Sequence, residues 1–161
     1  MELTQLISDR SDCRTFPAAG LPTVAADHRL PEDLADFYAE CGGAELFVGK
    51  DFPVKICPPE EFVPSNPEIV GEQVPDDITS SWYIVARSGS GEYISIDLHP
   101  DRLGRCYDSF YEVHGVAGSS AVVATSFSDL VSRLLAGDGG HWYWLEPEWV
   151  SLGDAYDGVV E

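Results

Sequence analysis

Trp82-Tyr83-Ile84-Val85-Ala86, Arg87-Ser88-Gly89-Ser90-Gly91 and Glu92-Tyr93-Ile94-Ser95-Ile96-Asp97 follow one another without interruption, and this run decides the fold. Aromatic and β-branched residues, which suit a pleated surface, flank a Gly/Ser turn. Ile94 and Ile96 alternate with Tyr93 and Ser95, the two-residue period of a strand. The segment therefore predicts a β-hairpin. A further turn, Pro100-Asp101-Arg102-Leu103-Gly104, leads into Arg105-Cys106-Tyr107-Asp108, which extends the hairpin to an antiparallel meander.

Upstream, Ala44 to Val48 and Pro53 to Cys57 are short β-type runs separated by the turn Gly49-Lys50-Asp51. Before them Leu34, Phe37, Tyr38 and Cys41 fall at i, i+3, i+4 and i+7, one apolar helical stripe. Pro31 reads as the first helical residue, Glu32 and Asp33 complement the macrodipole, and Gly42-Gly43 offers a left-handed cap. Leu3, Leu6 and Ile7 predict a short amphipathic helix ending before Phe16-Pro17. Residues 11–29 read as a connector in which Thr23-Val24 has the character of an edge strand. Pro58 to Phe62 reads as a loop entering a helical turn, and residues 63–80, with Pro64, Pro67 and Pro75, as a surface excursion.

Downstream, Ala121 to Thr125 reads as a strand. A second helix follows, in which Ser126 caps, Asp129 stands three residues on, and Phe127, Leu130, Val131, Leu134 and Leu135 form the apolar stripe up to Gly137. Trp142, Tyr143 and Trp144 then read as a split cluster, alternate rings buried and the rest near the surface. The expected organisation is one α+β domain over residues 1–145, an antiparallel or mixed sheet with flanking helices, followed by an acidic tail, 146–161. In that tail only Leu152 and Val159-Val160 offer anchors.

The 161 residues are 44% hydrophobic, enough for one ordinary core, yet 28 acidic side chains against 9 basic give a net charge of −19. Such a field repels nucleic acid and anionic membranes, so neither is expected as a partner. Solubility and a basic partner explain the acidity equally well. No stretch has the length of a membrane-spanning helix, and the opening Met1 to Arg10 lacks a signal peptide's basic region and apolar run. Cys13, Cys41, Cys57 and Cys106 are spaced for neither zinc knuckles nor a redox pair and read as reduced core thiols, which places the chain in the cytoplasm.

Motifs for catalysis are weak. Asp97, His99 and Asp101 alternate and in a strand would share one side, but Pro100 interrupts them, so they read as a polar strand end rather than metal ligands. His28, His114 and His141 are isolated, and no cofactor is expected. Ser88 to Gly91 joins two strands and lacks the helix N-terminus that a phosphate loop needs. Adjacent carboxylates at Glu60-Glu61 and Asp76-Asp77 diverge in most conformations, which makes them poor acid/base pairs.

The ordered set of features resembles the SUKH superfamily, which contains the yeast cell-wall synthesis regulators and many bacterial immunity proteins. The matching residues run from Leu30-Pro31 through Phe37-Tyr38 to Gly42-Gly43, then Leu46-Phe47 and Glu61-Phe62. Gly91 to Asp97 looks like the family's central strand, and Thr125 to Gly137, with the Trp cluster after it, like its last helix. The resemblance implies an α+β fold and non-enzymatic protein binding, commonly neutralisation of a toxin, nucleases prominent among them. It transfers no functional residue.

A nuclease needs a basic surface to hold phosphates, so an acidic immunity protein has a physical route to its partner. The rival readings are a regulatory adaptor with a non-toxin partner and, from another class, a small hydrolase-type enzyme. Charge and aromatic content nominate as partner contacts the loop carboxylates Asp76 and Asp77 and the meander carboxylates Glu92, Asp97, Asp101 and Asp108. They also nominate the aromatics Trp82, Trp142 and Trp144.

Overall fold

In a computed structural model, whose described residues are 3–89, 91–137 and 139–158, the hairpin lies at the centre of one antiparallel sheet. Its strands are β1 (Arg14–Thr15), β2 (Ala44–Leu46), β3 (Val54–Ile56), β4 (Trp82–Ser88), β5 (Glu92–Asp97), β6 (Cys106–Asp108) and β7 (Val122–Ala124). Their spatial order is their chain order, a simple meander with every pairing antiparallel. The helices are α1 (Leu3–Ser8), α2 (Glu32–Glu40), α3 (Ser65–Val70) and α4 (Phe127–Leu135).

The two faces of the sheet are covered by different parts of the chain. On the inner face Ala44, Leu46, Val54, Ile56, Ala86, Ile94, Ile96 and Ala124 meet Leu34, Phe37 and Tyr38 of α2 and Phe127, Leu130, Val131 and Leu134 of α4 in one buried cluster. The rings of Phe37 and Phe127 join those helices at 5.0 Å, edge to face. The outer face carries a second cluster, Trp82, Tyr107, Val122 and Ala155, flanked by Ile78, Leu152 and Tyr156. Because both faces of β4 are covered, its residues 82–86 are all buried and lose the alternation of a half-exposed strand.

Several sequence expectations are corrected. Thr23-Val24 forms no strand; the edge position belongs to Arg14–Thr15, paired with Glu45 and Ala44. Pro31 is the cap rather than the first residue of α2, with its backbone at ψ 145°. That helix also ends without a left-handed cap, because Cys41 is extended. The glycine pair is there for close approach: a Cβ on Gly42 would lie 2.3 Å from the Pro17 carbonyl oxygen, and one on Gly43 2.6 Å from that of Ile56. The excursion after residue 62 contains α3 and buries Ser65, Asn66 and Thr79.

The chain continues to pack after residue 145. Val122 N–H donates to Gly153 and Ala155 N–H to Ser120, so residues 153–155 run along the free edge of β7 as a strap, and Ala155 is fully buried. This covers an edge that would otherwise expose unpaired backbone groups. Val159 and Val160, the other anchors expected in the tail, lie outside the described residues.

Candidate partner-binding surface

The strap and the excursion meet at the outer face through half-buried and buried polar groups. Tyr156 donates to Asp77 Oδ2 at 2.8 Å; Thr79 donates to the same oxygen at 2.7 Å through its hydroxyl and at 3.2 Å through its N–H. Burial works against the charge on Asp77, but these hydrogen bonds outweigh it and hold the carboxyl below its ordinary range. Asn66 continues the chain, donating to Thr79 Oγ1 at 2.9 Å while its Oδ1 lies 2.7 Å from His114 Nε2. His114 Nδ1 lies 2.9 Å from the Ser109 hydroxyl. Burial pushes His114 down to about 4, so the ring is neutral near pH 7 and uses one nitrogen as donor and the other as acceptor.

A second buried hub forms around Asp97, which is fully enclosed. It accepts from Ser81 Oγ at 2.6 Å, Tyr107 Oη at 2.6 Å, Arg102 Nε at 2.9 Å and the His99 N–H at 3.0 Å. Asp97 therefore parts from the other two: it points inward, whereas His99 Nδ1 accepts from the Asp101 N–H and lies 3.9 Å from Asp101 Oδ2, on a side chain that is 85% exposed. Among the described residues no group of three or more His, Cys, Asp or Glu side chains is placed to hold a metal ion.

These positions correct part of the nominated surface. Trp82 is fully buried, stacked on Tyr107 at 4.1 Å, and Asp97 is fully buried beneath it, so neither meets a partner in this conformation. Trp142 and Trp144 are also buried, stacked at 4.8 Å, with the half-buried Tyr143 edge-on to Trp144. Their indole N–H groups donate to Glu92 at 3.0 Å and Asp108 at 3.1 Å, which makes those half-buried carboxylates caps on the aromatic stack. Burial raises Asp108 above the usual carboxylate range despite hydrogen bonds from Phe110 N–H and Trp144.

Asp76, Asp77 and Asp101 remain at the surface, and the fold brings them together. They line one polar groove of about 600 Å³ at the β4–β5 end where Trp82 and Asp97 lie, with His99, Arg102 and Arg105. The sequence reading missed two of its elements. Asp157, assigned to the tail, reaches the groove because Tyr156 and Ala155 anchor the strap, and the aromatic Tyr156 was the only signal for it. Arg105, read as strand entry, lines the groove as well.

The ordered features and the antiparallel meander now stand beside a direct comparison: residues 25–133 match the family described as SMI1/KNR4 (SUKH-1). The chain belongs to that family. It is also 52% identical over 157 residues to a Bacillus subtilis (strain 168) protein called immunity protein YokJ, an alignment covering 98% of this chain and 95% of that one. No solved structure matches the chain significantly. Among the described residues no helix is long and apolar enough to cross a membrane. The four cysteines of this SUKH-1 chain are free; three of them are buried, and burial pushes the Cys57 thiol up to about 12.

Proposed function

We propose that the chain is an immunity protein that binds a cognate bacterial toxin in the cytoplasm and neutralises it without catalysis. The observation that carries this reading is 52% identity, across nearly the whole of both chains, to a relative named as an immunity protein. The groove of Asp76, Asp77, Asp101 and Asp157 is the surface that receives a basic patch of the toxin. Asp76 and Asp101 are exposed and Asp77 is held ionised, so the groove offers fixed negative charge at the end of a rigid hairpin. A net charge of −19 adds long-range attraction for a basic partner and disfavours nucleic acid.

A binding role also agrees with the buried polar chain. Ser109, His114 and Asn66 are within hydrogen-bond distance in sequence like a nucleophile, base and orienting group, but Ser109 is fully buried, and an attacking hydroxyl must reach its substrate. Co-expression tests the reading: cells producing the toxin recovered by pull-down with this chain should grow with the wild-type chain. Growth should be lost or weakened with Asp76→Lys/Asp101→Lys at equal soluble levels. Failure of the wild-type chain to protect against any toxin it captures would refute the proposal.

A further inference from the structure

The outer face of the sheet is covered over only part of its width. Beyond the reach of the strap, with α3 and the 110–119 loop touching only its Arg87–Tyr93 end, the register sets five side chains in one row. Arg14 is opposite Glu45, Glu45 opposite Lys55, Lys55 opposite Arg87, and Arg87 opposite Tyr93. Their neighbours along the strands, Ala44, Leu46, Val54, Ile56, Ala86 and Ile94, point into the core, so the row faces outward. The side chains are 64% exposed at Arg14, 32% at Glu45, 35% at Lys55 and 30% at Arg87. Beside the row lies an open hollow of about 490 Å³ lined in part by Val48, Pro53 and the stems of Lys55 and Arg87.

The charge of this patch is unlike that of the molecule. Arg14, Lys55 and Arg87 are three of only nine basic residues, and with Glu45 and Glu61 they make a patch that is near neutral on a chain of net −19. Two copies of such a chain repel one another over most approaches, and this patch is a face on which they do not. Its order is also self-complementary. A two-fold axis parallel to the strands and passing over Lys55 reverses the row, which sets Glu45 against Arg87 of a second copy and Arg14 against the Tyr93 ring. Lys55 then meets its own image, but each ammonium is already paired with Glu61 at 2.7 Å. Within one chain Arg87 already lies over Tyr93, at 5.1 Å from the ring centre.

We propose that this uncovered half-face is a homodimer interface, in which the sheets of two copies stack through the Arg14–Glu45–Lys55–Arg87–Tyr93 row. Stacked sheets with side chains in contact and strands nearly aligned are an ordinary way to close such a face. The interface lies at the opposite end of the β4–β5 hairpin from the Asp76 groove, so a dimer leaves both grooves open. The inference does not depend on what the groove binds.

Sedimentation equilibrium of the full chain at micromolar concentration tests it. The wild-type chain should show twice the 17.6 kDa mass of one copy. Glu45→Arg should weaken the dimer by about tenfold or more, because it sets two cations together at each end of the row. The charge exchange Glu45→Arg/Arg87→Glu should restore it, with unchanged circular dichroism in all variants. A wild-type chain that remains monomeric overturns the proposal. So does a dimer indifferent to Glu45→Arg, or a double variant that fails to recover.

Discussion

The hydroxyl of Tyr156 donates to Oδ2 of Asp77 at 2.8 Å across 79 positions of sequence, and its oxygen also lies 3.1 Å from the Gly115 carbonyl. One phenol thus joins the strap, the 63–80 excursion and the loop before β7. Tyr156→Phe keeps the ring and removes the hydroxyl, so stability should fall by about 1 kcal/mol, the usual net worth of such a hydrogen bond. Urea denaturation reads the loss. A variant as stable as the wild type would mean that water replaces the hydroxyl at no cost and that the strap is held by Ala155 and its backbone bonds to Ser120 and Val122.

Asp97 is a carboxylate with no solvent contact and four donors around it, one of them the Arg102 guanidinium. Asp97→Ala leaves the Arg102 cation and the Tyr107 hydroxyl without their carboxylate partner, which should cost about 3–5 kcal/mol. Chemical denaturation monitored by tryptophan fluorescence measures it. A loss below about 1 kcal/mol would show that the hub is dispensable, since surface substitutions commonly cost that little.

His114 gives a pH dependence with a definite sign. Its folded value is about 4 against an unfolded 6.5, so between those values the unfolded chain binds more protons and stability rises with pH. The full contribution is present above 6.5 and is lost as pH falls toward 4. Over the whole interval it amounts to about 3 kcal/mol. His114→Gln should remove that part of the slope while keeping one donor and one acceptor for Asn66 and Ser109. Denaturation midpoints of the two proteins from pH 7 to pH 4 test this, and parallel curves would contradict it.

The sequence made the local elements legible and left the long-range cover hidden. Periodicity, turn residues and the Ser126 cap located the hairpin and both long helices, because each signal lies within a few residues of its effect. Trp82 and Asp97 were misplaced because strand alternation implies an open face, whereas residues 152–156 and the excursion close it from far along the chain. The same contacts explain the groove: Asp76, Asp77 and Asp101 were identifiable as surface carboxylates, but nothing local joins them to Asp157. The Gly42-Gly43 pair shows a subtler failure. It marked the helix end correctly, yet its cause is the approach of Pro17 and Ile56 rather than a cap.

The central claim is that the acidic groove steers and docks a basic toxin. Its most direct test is stopped-flow association of the chain with the toxin it protects against, measured across ionic strength for the wild type and for Asp76→Asn/Asp101→Asn. The account predicts association approaching about 10⁸ M⁻¹s⁻¹ at low salt, falling steeply as salt rises, with the double variant slower and dissociation changed much less. An association rate indifferent both to salt and to the loss of Asp76 and Asp101 would contradict it and place the toxin on another surface.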